Sequence, residues 1–128
     1  MNRIAGITHA LLRIMAGLVF ICPGGMKLFG WFGGMPGGMK LNALLWVAGI
    51  IEVVGGTMIV LGLFTRAVAF IASGEMAVAY FMGHFPNGFF PIQNHGEPAV
   101  LLCFIFLFLW GNGAGPFSVD AMRRRNAG

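Results

Sequence analysis

Charged residues are scarce in this chain, which carries only four acidic and eight basic side chains among 128 residues. They make up 9% of the sequence, whereas a soluble globular domain usually carries about 25%. Hydrophobic residues make up 58%, and a soluble core of this size could not cover so many apolar side chains. The composition therefore excludes an ordinary soluble domain and predicts an integral membrane protein.

Cysteine is scarce as well, and the two cysteines, Cys22 and Cys103, do not form a CxxC motif. Both are expected in apolar spans, where thiols are usually inert, and the sequence leaves open whether they lie near each other. The chain also lacks a P-loop, a GxSxG motif and a GxGxxG motif between a strand and a helix. No residue set predicts a metal site, or a haem, flavin or iron–sulfur cluster of the protein's own.

Basic residues outnumber acidic ones and give a formal net charge of +4, but their placement argues against a nucleic-acid partner. They are scattered singly, except for three consecutive arginines after the last apolar segment, Arg123, Arg124 and Arg125. Basic residues in that position are typical of the cytoplasmic anchor of a membrane helix. We therefore expect these arginines to meet the surface of the lipid bilayer.

Four apolar segments predict an all-α membrane protein, a four-transmembrane-helix bundle that forms a single domain over residues 1–128. The first three segments cover about residues 4–28, 41–64 and 67–85, and each is long enough to cross a bilayer. The proline and glycines at residues 23–25 predict a kink or an end in the first segment. A glycine-rich connection separates the first two segments, and a tight turn joins the second to the third.

The first and fourth segments each leave an alternative. The fourth begins near Glu97 and Pro98, but its unbroken apolar core, residues 99–110, is shorter than the roughly 20 residues that a full crossing needs. A re-entrant fourth segment is the alternative to a crossing. The first segment has features of a signal peptide, but bulky Phe20 and Ile21 stand where cleavage needs small side chains, so we expect an uncleaved helix.

The basic residues predict the orientation of a four-span bundle. Six of them would lie on one side of the membrane and two on the other, which makes the first side cytoplasmic and places both termini inside. The six are Arg3, Arg13, Arg66, Arg123, Arg124 and Arg125, and the two are Lys27 and Lys40. This arrangement predicts a multi-pass protein of the bacterial inner membrane, with Arg66 and the terminal arginines as turn and anchor residues.

Glu52 and Glu75 lie near the middle of the second and third segments. A carboxylate at that depth costs several kcal/mol unless it is paired, hydrogen-bonded or protonated, and such residues usually face a bundle interior. They are either structural, holding the helices together with Arg13 as a candidate partner, or they handle a proton or a polar ligand. Their position does not decide between these two hypotheses.

Further polar residues follow towards the outer face of the membrane. Tyr80 and His84 are one turn apart at the outer end of the third segment, and Asn94, His95 and Glu97 precede the fourth. The titratable groups that would suit proton exchange with a quinone are Glu75, Tyr80, His84, His95 and Glu97. An interfacial belt of Tyr and His is the alternative. The candidate site residues are Glu52, Glu75, Tyr80, His84, Asn94 and Glu97.

Several stretches of the chain resemble the DoxX family of small bacterial membrane proteins, at matching spacings over nearly the whole length. Three of them are Gly49-Ile50-Ile51-Glu52-Val53-Val54-Gly55-Gly56, Gly74-Glu75-Met76-Ala77-Val78-Ala79-Tyr80-Phe81 and Asn94-His95-Gly96-Glu97. The last departs from the family pattern at His95, where glycine is more frequent. The resemblance implies a four-helix inner-membrane protein.

What the resemblance implies about activity is less specific. The family takes its name from association with a membrane subunit of a thiosulfate:quinone oxidoreductase, and its relatives include proteins for maturation and cargo transport. We therefore expect an accessory subunit of a membrane-bound, quinone-linked redox assembly, as a homo-oligomer or within a larger complex. The alternative is a non-catalytic protein that supports assembly, maturation or export of a partner, and an independent enzyme is the third hypothesis.

Overall fold

The computed structural model describes residues 2–35 and 41–127, and every regular element in these two stretches is helical. This confirms the all-α prediction. Lys40, which was used in the orientation argument, lies outside the described residues. The five main helices are α1 (Arg3–Phe29), α2 (Ala43–Leu61), α3 (Thr65–Asn87), α4 (Glu97–Asn112) and α5 (Val119–Ala127).

Three of these helices, α1, α2 and α3, are long and apolar enough to cross a membrane. Helix α1 continues past Pro23 to Phe29, so the Pro-Gly-Gly stretch does not end it. Helix α4 is apolar but has only 16 residues. A rise of about 1.5 Å per residue makes it about 24 Å long, which is less than the roughly 30 Å of a hydrocarbon core. Its crossing and the side on which the termini lie remain predictions.

Two of the long helices contain a wider π turn. One lies in α2 at Ile51–Gly55, and the other lies in α3 at Tyr80–His84, just before a 3₁₀ turn at Phe85–Asn87. Single π turns interrupt α-helices rarely and are frequently found at functional sites. Here the first carries Glu52 and the second carries Tyr80 and His84.

The helices pack in a ring in which α1 contacts α2 and α4, and α3 contacts the same two helices. Small residues allow the close approach of α1 to α2, because a Cβ atom on Gly17 would lie 2.8 Å from the Gly56 carbonyl oxygen. Between α1 and α4, the aromatic side chains of Phe20 and Phe106 meet edge to face. Close packing of this kind holds helices together where lipid gives no hydrophobic driving force.

Helix α4 runs antiparallel to α3 between the two ends of the bundle. At the first end, the Arg66 Nη1 in the first turn of α3 donates to the carbonyl of Gly111 at the end of α4, at 3.0 Å. At the other end, Asn94, just before α4, donates to the Tyr80 hydroxyl of α3. We call these the Arg13 end, after the buried arginine of α1 described next, and the Asn94 end.

Arg13 joins three parts of the chain at its end of the bundle. Its guanidinium is buried and donates to the carbonyls of Ile59 and Val60 in the last turn of α2. It also donates to the carbonyls of Ala114 and Phe117, between α4 and α5. The hypothesis that Arg13 pairs with the membrane-centre glutamates is therefore wrong: a cation satisfies the orphan carbonyls of a helix C-terminus.

Asp120 of α5 caps the opposite end of the α2–α3 turn. Its carboxylate accepts from the backbone N–H groups of Phe64, at 2.8 Å, and Thr65, at 2.9 Å, which begin α3. Partial burial raises the pKa of Asp120, but these hydrogen bonds and the nearby Arg123 guanidinium outweigh it and leave the pKa below its usual value. Arg123 also lies over the Phe64 ring, 4.5 Å from its centroid.

Candidate functional site

Lys27 of α1 and Glu52 of α2 form an ion pair in the interior of the bundle. The Lys27 Nζ donates to the Glu52 Oε1 at 2.7 Å, with the side chains only 15% and 2% exposed, respectively. Lysine has a long flexible stem, so its ammonium can reach a carboxylate from a position near the helix end. The pair satisfies a carboxylate that would otherwise be costly at this depth.

The backbone around Glu52 is set by close contact with α1. A Cβ atom on Gly24 would lie 2.8 Å from the Glu52 Cβ and 2.9 Å from the Val53 backbone nitrogen. Only glycine leaves room for α2 at that position. Glu52 lies in the π turn at Ile51–Gly55, which faces Gly24. The close contact with Gly24 and the π turn together determine the position of the Glu52 backbone.

Glu75 of α3 is the third member of this group. Its carboxyl interacts with that of Glu52 and with the Lys27 ammonium. Both Glu75 carboxyl oxygens are buried, and neither has a hydrogen bond of normal geometry to any described residue. We call Lys27, Glu52 and Glu75 the carboxyl cluster.

The charges of the carboxyl cluster do not balance if every member is ionised. Two carboxylates and one ammonium leave one negative charge with no partner, and an unpaired buried charge is far more costly than a neutral acid. The arrangement of lowest cost pairs Lys27 with Glu52 and leaves a proton on Glu75. Chemically, the group can therefore hold one proton and exchange it.

A second polar group lies at the Asn94 end. The buried Asn94 Nδ2 donates to the Tyr80 hydroxyl at 3.1 Å and to the Gly88 carbonyl at 2.9 Å, and its Oδ1 accepts from the Gly96 N–H at 2.8 Å. His84 Nδ1 donates to the Asn94 carbonyl at 3.1 Å. The predicted residues Tyr80, His84 and Asn94 thus come together.

Most polar groups of Tyr80, His84 and Asn94 form hydrogen bonds with one another or with the backbone of residues 88–96. The Tyr80 hydroxyl donates to the Phe89 carbonyl at 3.3 Å while accepting from Asn94. A neutral His84 that donates through Nδ1 keeps Nε2 as an acceptor, so it is the member that could still accept a proton. The rings of Tyr80 and His84 stack with centroids 6.4 Å apart.

Glu97 and His95 lie apart from these contacts. Glu97 is exposed in the first turn of α4 and makes no hydrogen bond or ion pair with the part of the chain that the structure describes. His95 is exposed and adopts φ 60° at the end of the helical turn Pro91–Asn94. That left-handed conformation favours glycine and explains why glycine would be common at this position.

Comparison with known proteins identifies the family of the chain. The family model of DoxX matches residues 8–85, which include most of α1, all of α2 and all but the end of α3. The chain belongs to the DoxX family. A protein from Haemophilus influenzae described as uncharacterized is 45% identical over 116 residues, covering 87% of each chain. No solved structure matches. All three members of the carboxyl cluster lie within the matched part of this DoxX protein.

Sequence reasoning missed Lys27 as a site residue of this DoxX protein. Its position at the end of α1 indicated the outer boundary, although a lysine stem can extend several ångströms along a helix. The signal that could have revealed the pair is the glycine at position 24, because a small residue one turn before a lysine allows a neighbouring helix close to it. The π turns left no recognisable pattern in the sequence.

The two thiols of this DoxX protein are free. Cys103 lies beside Ser73, whose hydroxyl donates to the Cys103 carbonyl at 2.8 Å and links α3 to α4. Among residues 2–35 and 41–127, no three His, Cys, Asp or Glu side chains lie together as a metal site would require.

Proposed function

We propose that this DoxX protein is a small, multi-pass subunit of the bacterial inner membrane that belongs to a membrane-bound redox assembly. Within it, the carboxyl cluster would take up and release one proton during quinone-linked turnover. The observation that carries this proposal is Glu75, whose carboxyl is buried without a hydrogen-bond partner among the described residues, next to the Lys27–Glu52 pair. A purely structural carboxyl would be expected to satisfy its oxygens.

Quinone chemistry is consistent with this cluster because the two-electron reduction of a quinone to a quinol takes up two protons, of which the cluster could supply one. A proton-accepting carboxyl near the centre of the membrane could serve a quinone that diffuses in the hydrocarbon layer. The sequence has no motif for a redox cofactor of its own, so the proposal assigns electron transfer to a partner subunit. The family resemblance to quinone-linked assemblies supports the same assignment.

The path of α4 supports a four-span bundle with both termini in the cytoplasm. Its first residues lie near Tyr80 and its last near Arg66, so α4 joins the two opposite ends of α3. A re-entrant segment would return to the end where it began. With four crossings, the Arg13 end, which carries the terminal arginines, faces the cytoplasm.

A genetic complementation in a host that lacks its own copy tests the functional proposal. Membrane vesicles from cells that express the wild type, Glu75→Gln or the control Gly74→Ala would be compared for quinone-dependent oxidation and for subunits recovered in mild detergent. We expect Glu75→Gln to retain its partners but to lose most of the turnover, because an amide cannot titrate. The Gly74 position is exposed with open space around it, so the control should behave as the wild type.

The same experiment, with Glu52→Gln added, distinguishes the proton role from the alternative, a non-catalytic role in assembly or maturation. One observation favours that alternative: Tyr80 and Asn94 use their polar groups to fix the loop before α4. Wild-type turnover in both Glu75→Gln and Glu52→Gln would exclude the proton role. Loss of partner subunits on deletion, with normal turnover per remaining complex, would favour assembly. A monodisperse monomer with no copurifying protein in several detergents would contradict the subunit proposal.

A further inference from the structure

The loop at the Asn94 end, residues 88–96, combines strongly apolar side chains with several hydrogen bonds between side chains and backbone. It contains no Asp, Glu, Lys or Arg, since none occurs between Glu75 and Glu97. Three of its apolar side chains are among the most exposed in the chain: Phe89 at 69%, Phe90 at 57% and Ile92 at 75%. An exposed apolar patch of this kind marks an interaction surface rather than a surface that faces water.

Several backbone groups of this loop form hydrogen bonds with side chains, as a chain segment within a membrane requires. Side chains supply the missing partners: Asn94 bonds to the Gly88 carbonyl and the Gly96 N–H, Tyr80 donates to the Phe89 carbonyl, and His84 donates to the Asn94 carbonyl. Irregular backbone at membrane depth is tolerated only where its polar groups are paired with protein or water.

The lengths of the helices place the loop at that depth. Helix α4 begins close to Tyr80, because the Gly96 backbone packs against the Tyr80 ring, whereas α3 continues through Asn87. Seven residues beyond Tyr80 add about 10 Å at the usual helical rise. The loop therefore descends beside the end of α3 before α4 starts.

Helix α4 is about 6 Å too short for the hydrocarbon core, from its estimated length of 24 Å against about 30 Å. At the Arg13 end it cannot be extended by apolar chain, because Arg66 and Arg13 hold the carbonyls of Gly111 and Ala114. At the Asn94 end, the apolar residues Phe89, Phe90 and Ile92 lie just before the polar residues 93–95 that precede the helix. The missing length is therefore found in the loop.

We propose that residues 88–96 lie within the outer leaflet of the bilayer, with Phe89, Phe90 and Ile92 in contact with lipid at the boundary between acyl chains and head groups. Aromatic residues favour that boundary. The occupant of the exposed patch is lipid rather than a protein partner because the patch continues the apolar surface of α4, the shortest of the four apolar helices. This inference rests on the four-span arrangement in the proposed function.

Spin labels on single cysteines test this inference in lipid bilayers. The labels would be placed at Phe90→Cys and Ile92→Cys in a background with Cys22→Ser and Cys103→Ser, and their collisions with oxygen and with a water-soluble nickel complex would be compared. Phe104→Cys, exposed near the middle of α4, is the lipid reference, and Arg124→Cys on α5 is the water reference. All four positions are exposed, so the labels should not disturb folding.

We expect the oxygen-to-nickel accessibility ratio at Phe90→Cys and Ile92→Cys to be several-fold above that at Arg124→Cys and to approach that at Phe104→Cys. A ratio equal to that at Arg124→Cys would place the loop in water and overturn the inference. Low accessibility to both reagents would show that protein covers the patch and would overturn it as well. A nickel-accessible label at Phe104→Cys would instead contradict the membrane-spanning arrangement itself.

Discussion

The Lys27 ammonium and the Glu52 carboxylate meet at 2.7 Å between α1 and α2, and the Glu75 carboxyl of α3 lies against this pair. Three of the bundle's helices thus contribute one titratable side chain each to a single interior point. The pair satisfies one carboxyl and leaves the other without a counter-charge. The stability of the bundle and its proposed proton chemistry depend on this difference between Glu52, which has a counter-charge, and Glu75, which has none.

The ion pair predicts unequal effects of single and double substitutions on stability. Glu52→Gln removes the hydrogen-bonded partner of the Lys27 ammonium and leaves only Glu75, which would have to release its proton to replace it. The free energy of unfolding should fall by about 3 kcal/mol, the lower part of the range for buried pairs, because Lys27 keeps some exposure. The double variant Lys27→Met/Glu52→Gln should recover much of that loss. Unfolding in mild detergent, arranged as a double-mutant cycle, measures the coupling. Additive effects would mean that the pair contributes no interaction of its own.

Gly24→Ala should disturb the same site through its backbone. The added Cβ would stand 2.8 Å from the Glu52 Cβ, which forces α1 and α2 apart, and overpacking of this kind costs about 1–3 kcal/mol. Gly74→Ala is the matched control, since its Cβ meets nothing within 4 Å. Thermal unfolding of both variants checks the prediction, and equal melting temperatures would show that the helices separate without cost.

Asp120 predicts a loss of order at the Arg13 end in acid. Its pKa is lowered in the folded protein, so its contribution to stability is present above the unfolded pKa and disappears as the pH falls through the folded pKa. Proteolysis of α5 should therefore accelerate at acidic pH in the wild type. Asp120→Asn should be cleaved faster already at neutral pH and should respond less to acid. Glu97→Gln, which removes an exposed carboxyl, should follow the wild type, and an unchanged acid response in Asp120→Asn would contradict the capping role.

The predicted topology is open to reporter fusions. A reporter that is active only in the cytoplasm should give signal when fused to the C-terminus, because the arginines of α5 lie at the Arg13 end with the N-terminus of α1. A periplasm-active reporter inserted after Met35 should give signal as well. Periplasmic activity of the C-terminal fusion would mean that α4 does not cross the membrane.

The sequence predicted the helices well because their apolar segments had to be long and were bounded by turn residues. Residues 41–64 and 67–85 correspond to α2 and α3 within a few positions, and Glu52 and Glu75 do come together. The partner of Glu52 could not be predicted, because a lysine at a helix end can reach inward or outward. Arg13 was misassigned for the related reason that its carbonyl acceptors, such as that of Ala114, are distant in sequence. The sequence also could not predict which face of α4 is buried, because that helix is apolar on every side.

The central claim is that the carboxyl cluster holds an exchangeable proton on Glu75, and the infrared spectrum of the protein in bilayers tests it most directly. At neutral pH we predict the carbonyl band of a neutral carboxylic acid, shifted in deuterated water, present in the wild type and in the control Glu97→Gln but missing in Glu75→Gln. The folded state of Glu75→Gln should be unchanged, since an amide fills the same space. Absence of the band in the wild type, or its persistence in Glu75→Gln, would contradict the account.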